Sequence, residues 1–276
     1  MWTSEHILFH VPTLEGLTVL AYYAARTTRL RVGTAVYLLA LRHPTVVAKT
    51  VTTLDILSGG RVTLGVGVGG EYPKEFEATG VPVRQRGSRT DEALEVVRAL
   101  WTGSHVTHEG RYVSFTDVTM LPRPVQQPGP PIVIAGRSEA AQRRAGRLGD
   151  GYMPYLFSVD RYARGAQVVR AAADEQGRDL GEGFTWSLYL FVALADTMEE
   201  GRRLAAEQLQ LRYQQPFEQL VDAYCALGRP QDAAEKIAQF VEVGVNDIVL
   251  VPLLPAGERH VDAFERYAAE LIPLLR

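Results

Sequence analysis

An acid and a histidine stand next to each other near the start of the chain, at Glu5 and His6. Histidine exchanges a proton near neutral pH, so we interpret this pair as candidate catalytic residues. Neighbouring strand residues point to opposite sides, so both reach one site only if they lie at the end of a strand. The alternative is that His6 is a core histidine or belongs to a frayed terminus. His6 and His10 have metal-like spacing, but the segment between them is typical of a strand end and loop, and we expect no metal.

The glycine-rich segment "GVGVGG", Gly65–Gly70, matches the dinucleotide fingerprint G-x-G-x-x-G. In that fingerprint a helix opens directly on the last glycine, whereas here the first glycines fall inside a strand pattern and "EYPKEF" and a long loop follow. Glycines late in a strand also let a flat ring approach the backbone. We rank ring accommodation first, tight packing second and a dinucleotide site third.

A candidate anion site lies in "PIVIAGRSEA", where a strand at Ile132 to Ala135 runs into Gly136, Arg137 and Ser138 and then a helix. Unpaired backbone N–H groups at a helix start and the Arg137 side chain could hold a phosphate there. In the alternative interpretation Ser138 only caps the helix, and Glu139 satisfies the helix dipole without a ligand.

Short apolar runs alternate with amphipathic helical stretches along the whole chain. The helix after "LRVGTAV" (Leu30 to Val36) is predicted from Pro44 to Gly59-Gly60, and the helix after "RVTLGVGVG" (Arg61 to Gly69) from Thr90 to Trp101. Later units have strands at "PIVIAG", "DGYMPY", "FTWSLYLFVAL" and "NDIVLVPLL", each followed by a helix. The first of these helices is predicted to start at Ser138, the second to cover Val159 to Glu175, and the third to start at Thr197. The last helix is predicted to carry a stripe of Val261, Phe264, Ala268 and Leu271.

This alternation predicts a parallel α/β sheet, either doubly wound or closed as a (β/α)8 barrel. With the stub at Trp2 to Glu5 there are seven strand-then-helix units, which favours the barrel. No linker-like shift in composition divides the chain, so we predict a single domain over residues 1–276. A small hairpin is expected within residues 103–125, because "HVTHEGRYVSF" alternates around a central glycine.

Composition narrows the class of protein. The 276 residues are 46% hydrophobic and carry a net charge of -3, with no block of lysine or arginine. We therefore expect neither a nucleic-acid nor a membrane partner, but a small-molecule substrate. Cys225 is the only cysteine, so no internal disulfide can form. We interpret the protein as cytoplasmic.

In order along the chain, several segments resemble the luciferase-like superfamily of flavin- and deazaflavin-dependent oxidoreductases. They are "WTSEH", "RLRVGTAV", "RHPTVVAKTVTTLDILSGGRVTLGVGVGG", "FEATGVP", "RGSRTDEALEVVRALWTG", "PRPVQQPGPPIVIAGRS" and "RLGDGYMP". The resemblance implies a (β/α)8 barrel of the bacterial luciferase type with FMN or the deazaflavin coenzyme F-420 across the carboxyl ends of the strands.

The same resemblance implies roles for individual residues. The cofactor ring rests on a bulge with a non-prolyl cis peptide, for which Ala35-Val36 is the candidate, and the phosphate lies at the segment "AGRS". An acid-histidine pair, here Glu5 and His6, closes the second strand of the family fold, and the histidine often serves as proton donor or acceptor beside the ring. The implied cofactor-binding residues are Ala35, Val36, Leu38, Gly67, Gly69, Gly70, Glu71, Ala135, Gly136, Arg137 and Ser138.

The resemblance leaves the chemistry open between two reactions. With F-420, hydride moves between the ring and an organic substrate; with reduced FMN, oxygen is activated for monooxygenation. We favour F-420, because "GVGVGGEYPKEF" and "RGSRTDEAL" resemble that branch, although Tyr37 and Leu38 stand where some deazaflavin enzymes have a hydroxyl residue. The alternatives from other classes are a cofactor-binding barrel without turnover and a nicotinamide-dependent dehydrogenase.

Relatives normally have a complete first strand and helix before the segment matching "MWTSEH". We therefore expect this chain to lack the first βα unit and to bind its cofactor weakly. The family also usually forms dimers through helices that flank the early strands. Ala21 to Arg26 and Val46 to Leu57 are apolar enough to contribute, so we expect a homodimer.

Overall fold

The computed structural model describes residues 1–275. Its strands are β1 (Trp2–Thr3), β2 (Val32–Thr34), β3 (Tyr37–Leu38), β4 (Val62–Gly67), β5 (Val106–Glu109), β6 (Ser114–Val118), β7 (Ile132–Ala135), β8 (Gly151–Met153), β9 (Thr185–Leu194), β10 (Cys225–Gly228) and β11 (Asp247–Pro252). Its α-helices are α1 (Gly16–Arg26), α2 (Pro44–Ser58), α3 (Pro73–Ala78), α4 (Arg86–Thr102), α5 (Glu139–Leu148), α6 (Val159–Asp174), α7 (Met198–Tyr213), α8 (Val221–Tyr224), α9 (Pro230–Glu242) and α10 (His260–Arg266).

Two compact units make up the chain: residues 1–151 with 171–184, and residues 152–170 with 185–276. The first unit contains a parallel sheet in which β1 pairs with β2, β2 and β3 pair with β4, and β4 pairs with β7. Parallel strands of this kind need helical crossovers, which α1, α2 and α4 supply. The predicted parallel α/β fold is therefore confirmed in this unit.

Local signals predicted both bounds of α2 and the start of α5 correctly. Pro44 is the first residue of α2, and Gly59 ends it in a left-handed conformation, while Val47, Val51 and Leu54 are all buried as expected from their spacing. Ser138 caps α5 by accepting a hydrogen bond from the Ala141 N–H. Helix α4 starts at Arg86, four residues before the predicted Thr90, because a 3-10 turn over Val83–Gln85 leads directly into it.

The predicted hairpin is present as the antiparallel pair β5 and β6. Glu92 on α4 holds its turn by accepting hydrogen bonds from the backbone N–H groups of Arg111, Tyr112 and Val113, at 3.0, 2.9 and 2.8 Å respectively. Burial raises the pKa of Glu92, but these three donors outweigh it and lower the pKa below its ordinary value. The Glu92 carboxylate thus attaches the hairpin turn to α4, together with a hydrogen bond between Ser88 and the Tyr112 hydroxyl.

The second unit is built around the long strand β9. β10 and β11 both pair with β9 in parallel, and Tyr155, just after β8, forms a parallel bridge with Tyr189. Thr197 starts α7 with the reciprocal side-chain and backbone bonds of a capping box, as its position predicted. No helix among residues 1–275 is both long and apolar enough to cross a membrane.

The structure differs from the predicted elements at three places. The short helix α3 lies in the segment predicted as a long loop, and the pair β10 and α9 was not predicted. The predicted buried stripe of the last helix also fails: Val261 and Phe264 are 48% and 47% exposed and Ala268 is exposed, so only Leu271 is buried. The buried residues are Ala263, Tyr267 and Leu271, because α10 ends at Arg266 and a wider π-type turn over Tyr267–Leu271 sets a different face inward. The single domain over residues 1–276 stays a prediction.

Candidate active site

The candidate residues of the first unit follow the ends of neighbouring strands. Residues 5–6 come after β1, residues 35–38 after β2, residues 67–71 at and after the end of β4, and residues 135–138 at and after the end of β7. These strands are parallel, so their carboxyl ends meet at one edge of the sheet, which is where α/β barrels carry their active sites.

Glu5 lies beyond the end of β1 and turns inward. Its residue is only 2% exposed, and its carboxylate accepts hydrogen bonds from the Leu38 N–H at 3.0 Å and from Arg42, at 2.5 and 3.3 Å. Desolvation by burial raises the pKa of Glu5, and the Arg42 charge opposes this rise. Glu5 thus holds the segment that follows β2 in place.

His6 is oriented by residues that the sequence did not point to. Its Nδ1 lies 3.2 Å from Glu75 Oε2, and its ring stacks on Phe9 with 4.0 Å between ring centres and an angle of 11° between the planes. Glu75 is completely buried on α3 and also accepts the N–H groups of Ile7 and Leu8. The acid that contacts His6 is therefore Glu75 and not its neighbour Glu5.

The segment after β2 contains the predicted cis peptide bond between Ala35 and Val36. Tyr37 follows and is buried beneath the Arg42 guanidinium, 4.3 Å from its ring centre. Burial raises the pKa of Tyr37, although the Arg42 charge favours the phenolate. Arg42 therefore contacts both the Glu5 carboxylate and the Tyr37 ring.

Close packing explains the glycines at the end of β4. A Cβ on Gly67 would overlap Val36 Cγ2, and a Cβ on Gly69 would meet Leu38 at 3.1 Å and Phe76 at 3.4 Å. The side chains that approach these glycines are thus the protein's own, which matches the packing interpretation that ranked second. Gly70 lies against Arg86, and Glu71 is exposed. The following helix, α3, has only six residues, so the long helix of a dinucleotide fingerprint is absent at this position.

The predicted anion site has the expected strand-to-helix geometry. Ala135 is the buried last residue of β7, Gly136 has φ +141°, and Arg137 and Ser138 are exposed before α5. A Cβ on Gly136 would lie 2.6 Å from Ala141 Cβ, so this turn requires glycine. Ser138 caps the helix, and the Ala141 N–H bonds to its hydroxyl at 3.3 Å. The remaining first-turn N–H groups and Arg137 suit an anion.

These features fit a cofactor that combines a flat ring with a phosphate. Val36, Leu38, Gly67 and Gly69 form a compact apolar layer at the strand ends, and Gly136 to Ser138 offer donors at the next strand along the sheet. The glycines of this layer have no room for side chains of their own, because Val36, Leu38 and Phe76 already pack against them. No group of three or more His, Cys, Asp or Glu residues that could hold a metal ion occurs within residues 1–275.

Sequence reasoning missed Glu75, Arg42 and Phe9. Glu75 lies 69 residues from His6, and Arg42 lies 37 residues from Glu5. No spacing rule links positions so far apart, and α3 is too short for a clear helical pattern. The motif "EYPKEF", which contains Glu75, was the only available signal.

Comparisons with known proteins identify the family of this chain. The sequence profile described as luciferase-like monooxygenase matches residues 1–247. An uncharacterized protein of Mycobacterium bovis is 38% identical over 167 residues, which cover 60% of this chain and 57% of that protein, little more than half of the relative's length.

Two further relatives match over nearly the whole chain. An F-420-dependent glucose-6-phosphate dehydrogenase of Beutenbergia cavernae is 33% identical over 301 residues, covering 99% of this chain and 85% of that protein. The crystal structure of a monooxygenase from Streptomyces bottropensis superposes with a TM-score of 0.82 and 26% identity, covering 99% of this chain and 87% of that chain. The α/β fold is thus that of the luciferase-like barrels, and this chain belongs to the luciferase-like monooxygenase family.

Proposed function

We propose that this protein is an oxidoreductase that uses F-420 to transfer a hydride to or from a small organic substrate. The observation that carries the proposal is the oriented histidine His6, which is held by the buried Glu75 at the strand edge that also carries Gly67 and Gly136. The similarity to an F-420-dependent dehydrogenase over 99% of the chain supports the choice of cofactor.

In this proposal each candidate residue binds or positions one part of the cofactor. The phosphate lies at Ala135, Gly136, Arg137 and Ser138. The ring rests on the layer formed by residues 35–38, 67 and 69, beside Gly70 and Glu71. When bound, the cofactor supplies the hydride chemistry, while the protein supplies position and electrostatics. His6 holds or passes a proton at Nε2, and Glu5 keeps Leu38 in place through its N–H.

A second candidate is monooxygenation with reduced FMN at the same site. The similarity to the Streptomyces bottropensis monooxygenase favours it. We further propose that the protein acts in the cytoplasm as a homodimer and has a small-molecule substrate.

Cofactor titration tests the proposed function. Purified protein is titrated separately with F-420, FMN and NADPH, and binding is followed by absorbance and fluorescence. We expect F-420 to bind and NADPH not to bind; NADPH binding would identify a nicotinamide enzyme, and FMN binding alone would favour monooxygenation. Bleaching of the bound cofactor by a substrate separates an enzyme from a binding protein.

The charge reversal Arg137→Glu tests where the phosphate binds. A charge-assisted hydrogen bond contributes about 1.5–3 kcal/mol, so we expect the affinity to fall about 10- to 100-fold. Arg147→Glu is the matched control, because Arg147 is exposed in the last turn of the same helix, α5. Unchanged affinity of Arg137→Glu for both F-420 and FMN would place the phosphate elsewhere.

A further inference from the structure

We propose that Glu75 is a positioning residue that sets the tautomer of His6, so that the imidazole carries its proton on Nδ1 and offers Nε2 to the substrate or cofactor. This inference rests on the proposed function, in which His6 holds or passes the proton. The acid partner of His6 is then Glu75 on α3, a helix in a segment that the sequence pattern predicted as a loop. This assignment also separates Glu75 from Glu5, whose carboxylate binds Arg42 and the Leu38 N–H.

The hydrogen bonds around Glu75 determine which atom of His6 carries the proton. Glu75 Oε1 accepts the N–H groups of Ile7 and Leu8, at 2.5 and 3.2 Å. Oε2 lies 3.2 Å from His6 Nδ1. A carboxylate has only acceptor atoms, so Nδ1 must supply the hydrogen of this contact. In the neutral ring Nε2 then carries the lone pair.

A second contact fixes the plane of the ring. The imidazole of His6 stacks on Phe9 with 4.0 Å between ring centres, and within that plane the Glu75 contact selects the orientation that places Nδ1 beside Oε2. Within residues 1–275 no hydrogen bond is formed by Nε2. Nδ1 of His6 is therefore bound to Glu75, whereas Nε2 can accept a proton.

Glu75→Gln separates this role from simple support of the loop. The glutamine oxygen can still accept the N–H groups of Ile7 and Leu8, but its NH2 group then faces Nδ1 and can only donate. The substitution is nearly isosteric, so the backbone contacts survive while the bond to His6 is reversed. We expect the neutral His6 ring to change from the Nδ1–H to the Nε2–H form.

The experiment is long-range nitrogen-proton NMR on ligand-free protein labelled with 15N-histidine, at about pH 8.5 where a histidine is mostly neutral. The chain has six histidines, and the His6→Asn variant identifies the His6 signals by their loss. Glu77→Gln is the matched control, because Glu77 is exposed two residues further along α3 and pairs with Lys74. We expect Glu77→Gln to retain the wild-type tautomer.

Two results would overturn the inference: an Nε2–H tautomer in the wild type, or an unchanged Nδ1–H tautomer in folded Glu75→Gln. The wild-type spectrum is decisive even if Glu75→Gln does not fold. Where turnover is measured, we expect Glu75→Gln to lower it at least tenfold with little change in melting temperature, and equal turnover would also contradict the role. Failure of the proposed function is distinguishable, because a wild type with Nδ1–H but no turnover refutes only the enzyme assignment.

Discussion

Removal of Arg42 should destabilise this protein much more than removal of an ordinary surface arginine. Arg42 holds the Glu5 carboxylate at 2.5 and 3.3 Å, and the Glu5 side chain has no exposed surface, whereas the Arg42 side chain is 16% exposed. In Arg42→Met the apolar stem is retained, but Glu5 keeps only the Leu38 N–H as a partner. A buried charge is then left uncompensated.

The size of the effect follows from the burial of this pair. Breaking a buried ion pair by removing one partner costs about 3–5 kcal/mol, whereas exposed pairs contribute about 0–1 kcal/mol. We therefore expect Arg42→Met to lower the free energy of unfolding by about 3 kcal/mol or more at pH 7. Arg29→Met is the control, because Arg29 is exposed, and it should change stability by about 0.5 kcal/mol or less.

The loss of stability in Arg42→Met should also depend on pH, in a direction that follows from the pKa of Glu5. Burial raises the pKa of Glu5 above its ordinary value, and loss of Arg42 raises it further. The folded variant then keeps a proton on Glu5 at pH values where the unfolded chain has lost it. Stability falls with rising pH wherever the folded state binds more protons, so the difference between wild type and Arg42→Met should widen from pH 4.5 to pH 7.

Urea unfolding followed by tryptophan fluorescence, at several pH values from acidic to neutral, measures this difference. The double variant with Glu5→Gln and Arg42→Met should recover most of the lost stability, because it removes the unpaired charge. A loss below about 1 kcal/mol for Arg42→Met, or a loss independent of pH, would show that Glu5 is not a buried, charge-compensated group.

Three further outcomes follow from the structure. Glu92→Gln should weaken attachment of the hairpin by about 1–3 kcal/mol at pH 7, measured by limited proteolysis and urea unfolding. Because the folded pKa of Glu92 is lowered, its contribution to stability is present above pH 4.5 and is lost as the pH falls through the folded pKa. A variant as stable as wild type at pH 7 would contradict this role. Gly136→Ala should cost about 1–3 kcal/mol in thermal or urea unfolding, because φ is +141° and Ala141 leaves no room, whereas a neutral result would mean that the turn can rearrange. Light scattering at micromolar concentration should give twice the chain mass of 30.5 kDa, and a value near 30.5 kDa would refute the homodimer.

Much of the fold could be predicted from the sequence, because local signals carry it. Pro44 and Gly59 bound α2, and Ser138 starts α5, since caps and turns depend on residues within one helical turn. The alternation of apolar runs with helical stretches predicted the parallel sheet. The last helix was predicted wrongly because its buried face depends on the turn over Tyr267–Leu271, which no periodic pattern records.

The candidate site was predicted in part. Its positions after strand ends follow from the rule that carboxyl ends of parallel strands share an edge, and Gly136 was recognisable as a turn residue. The sequence by itself determined the residue types present at that edge: an acid, a histidine, glycines and a strand-to-helix turn.

Only the tertiary structure decided which residues work together. Glu5 pairs with Arg42 and His6 with Glu75, although the sequence places Glu5 beside His6. Adjacent residues diverge because successive side chains leave the backbone in different directions, while distant segments meet when the sheet brings their strands together. Hydrogen-bond partners depend on that folded arrangement, so a linear pattern can supply the candidates but cannot pair them.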